Sequence, residues 1–357
     1  MTKPTEAQTE KSGSTGRLQP PRRATLMDVA DRAGVSTAAA SKVLRGAYGV
    51  SDRMRERVQT AMQELGYRPS AVARGLRGKT YTVGVMLSDI HNPFFGLLTD
   101  GIRRGIGSGG YEVLIGPGGS TPRSQQAMIN ALIDRGMDGL MLIAPVVGGE
   151  QLERTGREVS TVVIGRHGLG AAYDTVAGDD RRGSELIVDH LVGLGHRDIL
   201  HLTNRHESFD EPETPEQVRA AGYRDAMRKH GLESRIDVRE AAWTDTGGRE
   251  VARQILQMPE RPTAVHAGAD VAAFGLMAEL WQAQIDIPGQ VSVVGYDDSP
   301  MASMPPIHLT TINQSGFRMG ELASEILLER LEGRNEPRAE LIEPTLVRRG
   351  TTAAPSN

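Results

Sequence analysis

The residues with the clearest capacity for chemistry are the basic side chains near the start of the chain. Residues 1–79 contain 15 Lys and Arg against seven Asp and Glu, a net charge of +8, whereas the rest of the chain carries −12. Lys and Arg in such excess can neutralise phosphates, so this asymmetry indicates a polyanionic partner such as a nucleic acid. An ordinary solvated basic surface is the alternative.

No catalytic constellation is visible in the sequence. The 357 residues include no cysteine, which excludes disulfides, thiolate metal sites and cysteine nucleophiles. The nine histidines are scattered, and there is no Walker loop, HExxH or GxSxG motif. Gly105, Gly107 and Gly110 match a dinucleotide fingerprint by letter, but they lie at the end of a predicted helix instead of following a strand. We therefore expect no enzyme activity, no cofactor and no metal.

The composition also bounds the location of the protein. Residues 1–23 are rich in Thr, Ser, Gly, Gln and Pro and are expected to form a disordered lead. They contain no apolar segment of the signal-peptide type, and no stretch of the chain has the length of a membrane span. The lack of cysteine fits a reducing compartment. We expect a cytoplasmic protein that makes no membrane contact and is associated with the nucleoid.

Three short helices are predicted over residues 24–69, the second of them from Thr37 to Leu44. Thr25 is a suitable N-cap for the first helix, and Asp28 can return the capping hydrogen bond. Gly34 ends this helix, because glycine adopts the left-handed conformation at little cost. A helix, a tight glycine turn and a second helix with small inward residues form the helix-turn-helix pattern.

Residues 70–79 can form a helix of about two turns, which is marginal in isolation and is weakened further by Gly75. We expect a linker that becomes ordered only on contact. From Tyr81 onward, short apolar strands alternate with amphipathic helices, which is typical of parallel sheets covered on both faces. The fold class is therefore an all-α helix-turn-helix head plus an α/β body of two doubly wound parallel-sheet lobes, with a cleft at the carboxyl ends of the strands.

The predicted elements of the body can be stated individually. The strands are Thr82–Leu87, Glu112–Ile115, Gly139–Ile143, Thr161–Ile164, Thr175–Ala177, Ile199–Leu202, Ala264–Ala267 and Val291–Val294. The helices include Arg123–Arg135, Gly183–Leu194, Glu216–His230, Gly248–Gln257 and Val271–Gln282. A final helix near Gly316–Leu331 and a strand near Leu341–Val347 close the chain.

The stretch ATLMDVADRAGVSTAAASKVLRG resembles the N-terminus of the lactose/galactose repressor (LacI/GalR) family, whose pattern is roughly TLxDVAxxAGVSxxTVSRVLNG. The resemblance continues through VSDRMRERVQTAMQELGYRPSAVARGL and reaches the body at HNPFF, HLVGLGHRDI, RAAGYRDAM, VSVVGYDDSP and LTTINQ. It spans nearly the whole chain after the lead. It implies a one-component transcription regulator, most simply a repressor, with a periplasmic-binding-protein-like body.

The resemblance implies that the second helix enters the major groove of operator DNA. Lys42 replaces the usual Arg of the family, so it lacks a bidentate fork. Leu76 aligns with the family's hinge leucine, which wedges into the minor groove; simple packing of Leu76 in a linker is the alternative. The implied DNA-binding residues are Thr25, Ser36, Thr37, Ala38, Ser41, Lys42, Arg45, Ala73 and Leu76.

The resemblance also implies that the body holds a small effector between its lobes. Carboxylates and guanidinium groups bond neighbouring hydroxyls, and an aromatic face covers a sugar ring, so Trp243 favours a sugar. Ala269 stands where many sugar-binding members have Asn, which removes one polar contact. Arg219 and Asp297 could instead form a structural ion pair. The implied ligand-binding residues are Asp89, Asn92, Phe94, Phe95, Arg166, Arg219, Trp243, Asp270 and Asp297.

These inferences predict a homodimer on a pseudo-palindromic operator. A purine or nucleoside effector, or a ligand acting as corepressor, is the alternative within the family; a transport solute-binding protein is a remote one, disfavoured by the first 80 residues. The predicted segments are a lead (1–23), a helix-turn-helix (24–69), a hinge (70–79), a ligand-binding and dimerisation domain (80–351) and a tail (352–357). Within that domain we expect lobe 1 at about 80–178 and 314–338, and lobe 2 at about 179–313 and 339–351.

Overall fold

The computed structural model describes residues 24–44, 48–67, 79–205 and 214–356. The chain folds as two compact units, Met1–Arg77 and Gly78–Asn357. The predicted lead (1–23) lies outside the described residues, as does nearly all of the predicted hinge.

The described part of the first unit contains three helices, α1 (Leu26–Ala33), α2 (Thr37–Leu44) and α3 (Asp52–Glu64). The predicted capping box is present: Thr25 Oγ1 accepts a hydrogen bond from the Asp28 amide, and the Asp28 carboxylate accepts one from the Thr25 amide. Gly34 ends α1 with a φ of 62°. A small core, which includes Val29, Ala40 and Val58, holds the three helices together. The helix-turn-helix prediction is therefore confirmed.

The second unit alternates strands and helices. In chain order its strands are β1 (Thr82–Leu87), β2 (Glu112–Pro117), β3 (Gly139–Ile143), β4 (Ser160–Ile164), β5 (Asp174–Gly178), β6 (Ile199–Asn204), β7 (Asp237–Ala241), β8 (Ala264–Ala267), β9 (Ser292–Asp297), β10 (Thr310–Asn313), β11 (Ala339–Ile342) and β12 (Thr345–Val347). Its α-helices are α4 (Pro93–Ser108), α5 (Pro122–Asp134), α6 (Gly149–Glu158), α7 (Asp180–Gly193), α8 (Pro215–Lys229), α9 (Asp245–Leu256), α10 (Asp270–Gln282) and α11 (Gly316–Leu331).

These elements form two lobes, each built on a six-stranded sheet. The sheet of lobe 1 has the order β11-β5-β4-β3-β1-β2 and is parallel throughout. The sheet of lobe 2 has the order β12-β10-β9-β8-β6-β7, in which only β12 is antiparallel to its neighbour. Alternate residues of β3 enter the cores on opposite faces, Met141 on one and Leu140 on the other. The prediction of two doubly wound lobes is confirmed.

The chain crosses between the lobes three times. The crossings follow β5, β10 and β11, so that β11 belongs to lobe 1 and β12 to lobe 2. The predicted strand near Leu341–Val347 is therefore two strands, broken at Glu343 and Pro344 because proline interrupts the ladder. The predicted lobe boundary at residue 339 is wrong for this reason, and lobe 1 extends to Ile342.

Two strands, β7 and β10, were not predicted from the sequence. β7 is an edge strand whose residues, apart from Ala241, are partly exposed, so its charged sequence DVREA carries no apolar pattern. β10 has only four residues, TTIN, and its buried threonines make it look like a loop. Both strands are defined by pairing with their neighbours, which single-sequence patterns do not reveal.

Two glycines of α4 allow close packing against α11. Gly101 lies so close to α11 that a Cβ there would overlap the carbonyl group of Phe317. A Cβ on Gly105 would lie 2.5 Å from the Cβ of Ser324. Of the three fingerprint-like glycines, Gly105 is therefore explained by close helix–helix contact, whereas a Cβ at Gly107 or Gly110 would meet no atom within 4 Å.

Candidate functional site

A cavity of about 680 Å³ lies between the two lobes. Its lining residues follow the carboxyl ends of strands in both sheets, where open α/β sheets bind ligands. Eight of the nine predicted ligand-binding residues line it, namely Asp89, Asn92, Phe94, Phe95, Arg166, Arg219, Trp243 and Asp297.

Arg219 is the central charged group of the lobe 2 wall. It projects from α8 and is buried, at 4% exposure. Its Nε donates to Asp180 Oδ1 at 2.7 Å, and its terminal nitrogens donate to the carbonyl of Gly268 at 2.5 Å and to Gln314 Oε1 at 3.3 Å. The guanidinium is thus held by three acceptors, and its carboxylate partner is Asp180, not Asp297 as one alternative had it.

Two aromatic rings flank the Arg219 guanidinium. Its central carbon lies 3.7 Å from the ring centre of Tyr296 and 4.9 Å from that of Trp243. Both distances are in the range of cation–π attraction. Gly268 leaves room for the indole, since a Cβ there would lie 2.5 Å from Trp243 Cζ2. The stacking fixes both the guanidinium and the indole that lines the cavity.

Asp297, the last residue of β9, lines the cavity with a buried side chain. Its backbone has a φ of 126°, which is unusual for a residue with a side chain and is typical of functional sites. Oδ1 accepts a hydrogen bond of 2.6 Å from Gln314 Nε2, while Oδ2 has no partner within the described part of the chain. Burial raises the pKa of Asp297 well above its ordinary range, against the lowering effect of Arg219.

The lobe 1 wall has a different character. Phe94 and Phe95 form an apolar surface at the start of α4. Asn92 uses its side-chain oxygen to cap this helix at the Phe94 amide, and Asp89 Oδ1 accepts from the His91 amide. Arg166 donates to the Val147 carbonyl at 3.0 Å. The polar groups of this wall therefore largely serve local backbone structure.

The first unit presents a second candidate surface. Ser36, Thr37 and Ala38 are exposed at the start of α2, and Lys42 is exposed one turn later. Thr25 is also exposed, although its hydroxyl caps α1. Ser41 does not belong to this surface, because it is 9% exposed and α2 packs that side against the unit's core. Arg45, Ala73 and Leu76 lie outside the described residues.

Comparison with known proteins identifies both units. The family described as "Bacterial regulatory proteins, lacI family" matches residues 25–70, and a "Periplasmic binding protein-like domain" matches residues 188–352. The ribose operon repressor of Escherichia coli (strain K12) is 32% identical over 333 residues, covering 92% of this chain and 99% of that protein. The chain belongs to the lacI family of bacterial regulatory proteins.

Other members of the lacI family support the same conclusion. The HTH-type transcriptional repressor PurR of Vibrio parahaemolyticus is 34% identical over 338 residues, which is 92% of this chain and 98% of that one. The crystal structure of the lac repressor dimer bound to operator and the anti-inducer ONPF matches with a TM-score of 0.78 and 25% identity, covering 93% of this chain and all of that one. The predicted family and fold are thereby confirmed, and the chain is a regulator, not an enzyme.

The described residues contain neither a membrane-spanning helix nor a cluster of metal-binding side chains. No helix there is both long enough and apolar enough to cross a membrane. No group of three or more His, Asp or Glu side chains there could hold a metal ion.

One predicted ligand residue of this lacI-family chain lies elsewhere. Asp270, the first residue of α10, is 1% exposed and does not line the cavity. Its Oδ2 accepts hydrogen bonds from the amide and hydroxyl of Ser299, and its Oδ1 accepts one of 2.6 Å from Thr311. Burial raises its pKa to about 7 despite these donors. Asp270 therefore has a structural role and not the predicted ligand-binding one. Its carboxyl group connects α10 to the segment after β9 and to β10.

The cavity residues of the lacI-family body that were missed include Asp180, Asn204 and Gln314. Asp180 and Gln314 lie at the first two crossings between lobes, and Asn204 ends β6. Asn204 Oδ1 accepts a hydrogen bond from the Trp243 amide at 3.0 Å. Each residue lies at or directly after the end of a strand, so strand ends were the available signal. Gln314 was hidden because β10 was not predicted.

Proposed function

We propose that this lacI-family protein is a transcription repressor whose affinity for operator DNA is controlled by a small molecule, most simply a sugar, in the cleft. The observation that carries the proposal is the polar wall of lobe 2. It combines an aromatic face, a fixed guanidinium and a buried carboxylate oxygen without a partner in the described chain. A receptor of this kind on one chain with a helix-turn-helix constitutes a one-component regulator.

The proposed DNA contacts divide between two segments. In the helix-turn-helix (24–69), Ser36, Thr37, Ala38 and Lys42 are exposed and suited to the major groove, with Thr25 and Arg45 near phosphates. In the hinge (70–79), Ala73 and Leu76 would enter the minor groove, with the leucine as a wedge. A homodimer formed through residues 80–351 would place two such heads on a pseudo-palindrome.

The proposed ligand is a polyhydroxy compound. The Asp297 carboxyl group, whose Oδ2 has no partner in the described chain, can exchange hydrogen bonds with hydroxyl groups, and the Trp243 face can cover the apolar face of a ring. Phe94 and Phe95 would close over the other side, with Asp89, Asn92 and Arg166 at the edge. The ribose operon repressor is named for a sugar system, while the PurR relative gives the purine alternative a specific basis.

The effector acts through its difference in affinity for two lobe arrangements. In the simpler case, the protein releases DNA when the effector binds. A corepressor follows the same thermodynamics with the opposite sign, because its binding raises the affinity for DNA. The protein would act in the cytoplasm, bound to nucleoid DNA.

The proposal is tested in two steps with the full chain. Selection from a random pool of duplexes should enrich a pseudo-palindromic sequence whose affinity falls steeply with salt. A thermal-shift screen of D-ribose, other pentoses, hexoses and nucleobases should then yield at least one stabilising compound. Failure to enrich any duplex sequence would contradict the proposed role as a DNA-binding regulator. Stabilisation by nucleobases alone would mean that the effector is a purine and not a sugar.

A further inference from the structure

A buried hydrogen-bonded path joins lobe 1 to the Arg219 guanidinium. His167 lies in the lobe 1 loop after β4, and its Nε2 is 2.7 Å from Asp180 Oδ2. Asp180 is the first residue of α7 in lobe 2, and its Oδ1 accepts from Arg219 Nε at 2.7 Å. The two oxygens of one carboxylate are thus occupied from different lobes.

The protonation of this path follows from its geometry and charges. Burial alone would raise the pKa of Asp180, but Arg219 and His167 together hold it below its usual value. An ionised carboxylate has no hydrogen to donate, so the hydrogen of the short contact resides on His167 Nε2. Such charge-assisted hydrogen bonds are stronger than neutral ones. The two side chains are also shielded from solvent, since that of His167 is only 15% exposed and that of Asp180 only 2%.

The path continues through the second crossing between lobes. Arg219 donates to Gln314 Oε1 at 3.3 Å, and Gln314 Nε2 donates to Asp297 Oδ1 at 2.6 Å. Gln314 is 3% exposed. The cavity-lining groups Arg219 and Asp297 are therefore held by side chains from the first two crossings, and His167 extends the path into lobe 1.

We propose that His167 is a positioning residue of the effector site, which fixes the Asp180 carboxylate from lobe 1 so that it holds Arg219 at the cavity wall. The inference rests on the proposed function of the cleft as an effector site. It assigns a role to a residue that touches neither the cavity nor the ligand in the proposed arrangement. It also links the position of the lobe 1 loop to the orientation of the guanidinium in lobe 2.

The fluorescence of Trp243 reports this role without a ligand. The chain has two tryptophans, Trp243 and Trp281. Trp281 is partly exposed on α10, and Trp281→Phe leaves Trp243, which lies next to Arg219, as the only tryptophan. In this parent background, His167→Ala should shift the emission maximum of Trp243. His167→Gln should restore the parent spectrum, because a glutamine amide can donate the same hydrogen bond to Asp180.

A matched control is available in lobe 2, the lobe that carries Trp243. His230 Nε2 lies 2.6 Å from Asp189 Oδ1, a histidine–aspartate pair joining α7 and α8 away from the cavity. His230→Ala should leave the Trp243 spectrum unchanged, while circular dichroism checks that all variants are folded. An unchanged spectrum in His167→Ala, or a shift that His167→Gln fails to reverse, would overturn the positioning role.

Binding of D-ribose provides a second readout. If the parent binds this sugar, its affinity should fall about three- to tenfold in His167→Ala, the worth of one hydrogen bond, and recover in His167→Gln. Equal D-ribose affinity in parent and His167→Ala would also count against the proposal. The fluorescence comparison uses no sugar, so it decides the role of His167 even if the proposed effector chemistry fails in the screen.

Discussion

The two walls of the cleft are built on different principles. On the lobe 2 wall, Arg219 is buried, bonded to three acceptors and stacked between two rings. On the lobe 1 wall, Phe94 and Phe95 provide apolar surface, and Asn92 and Asp89 bond mainly to nearby backbone.

This difference indicates a division of labour. Polar groups fixed before binding lose little entropy when a ligand arrives, so a preorganised wall supplies orientation and selectivity. An apolar wall complements shape and gains from excluding water when the lobes close. We therefore expect substitutions on lobe 2 to dominate both ligand binding and stability, and those on lobe 1 to have smaller effects.

The largest effect should come from Arg219→Ala. Removing one partner of a buried ion pair costs about 3–5 kcal/mol because the other charge stays buried, and here Asp180 would be left with His167 alone. We expect this loss in the free energy of urea-induced unfolding, together with loss of sugar binding. Arg181→Ala, which removes an exposed pair with Asp225 from the same lobe, is the control. Equal losses in both variants would refute the special role of the lobe 2 wall.

Trp243→Ala should have the next largest effect. Loss of the ring removes apolar contact area that is worth roughly 1.5–3 kcal/mol when fully buried, so sugar affinity should fall by about one to two orders of magnitude. Trp243→Phe should keep much of this affinity. Isothermal titration with the best compound from the screen measures both variants, and Trp281→Phe serves as the control. An unaltered affinity in Trp243→Ala would show that the ring is core and not a ligand platform.

A third prediction concerns the contribution of Asp270, in lobe 2, to the pH dependence of stability. Its folded pKa of about 7 lies above the unfolded value of 3.8, so between these values the folded state binds a proton that the unfolded state lacks. The stabilising contribution of this group to the free energy of unfolding should therefore be complete below pH 4. It should decrease as the pH rises towards 7, by at most about 1.4 kcal/mol per pH unit.

Asp270→Asn removes the ionisation that produces this slope. Urea unfolding at pH 5 and pH 7 should show a smaller decline with pH in the variant than in the wild type. Asp89→Asn, an exchange on lobe 1, should leave the slope as in the wild type. Identical slopes in Asp270→Asn and the wild type would mean that Asp270 is already ionised in the folded protein.

The smallest effect is expected from Asp89→Ala. Its side chain is 39% exposed and pairs with the exposed His91, and surface contacts of this kind contribute about 1 kcal/mol or less. Sugar affinity should change less than about fivefold by the same estimate. A loss as large as that of Trp243→Ala would remove the contrast between the two walls.

What could be predicted from the sequence depended on how local its signals were. The Thr25–Asp28 capping box and the end of α1 at Gly34 follow from neighbouring residues, and both are present. Apolar strands such as Gly139–Ile143 were predicted to the residue because they are buried on both faces. Eight of the nine ligand-binding residues predicted from the family resemblance line one cavity.

What could not be predicted depended on contacts far apart in the chain. β7 and β10 exist through pairing with their neighbours, and Asp180 acquires its role from His167 and Arg219. Asp270 was assigned to the ligand from its position in the family pattern, yet its carboxyl group is bonded to Ser299 and Thr311. Position along the chain does not reveal which way such a side chain points.

The central claim is that occupancy of the cleft controls DNA binding. It is tested by fluorescence anisotropy with the selected duplex at fixed salt, with and without the best compound from the screen. We predict at least a tenfold change in duplex affinity on adding the compound, and no such change in Asp297→Ala, which loses the carboxyl group of this cavity-lining residue. A duplex affinity that is the same with and without bound compound in the wild type would contradict the account.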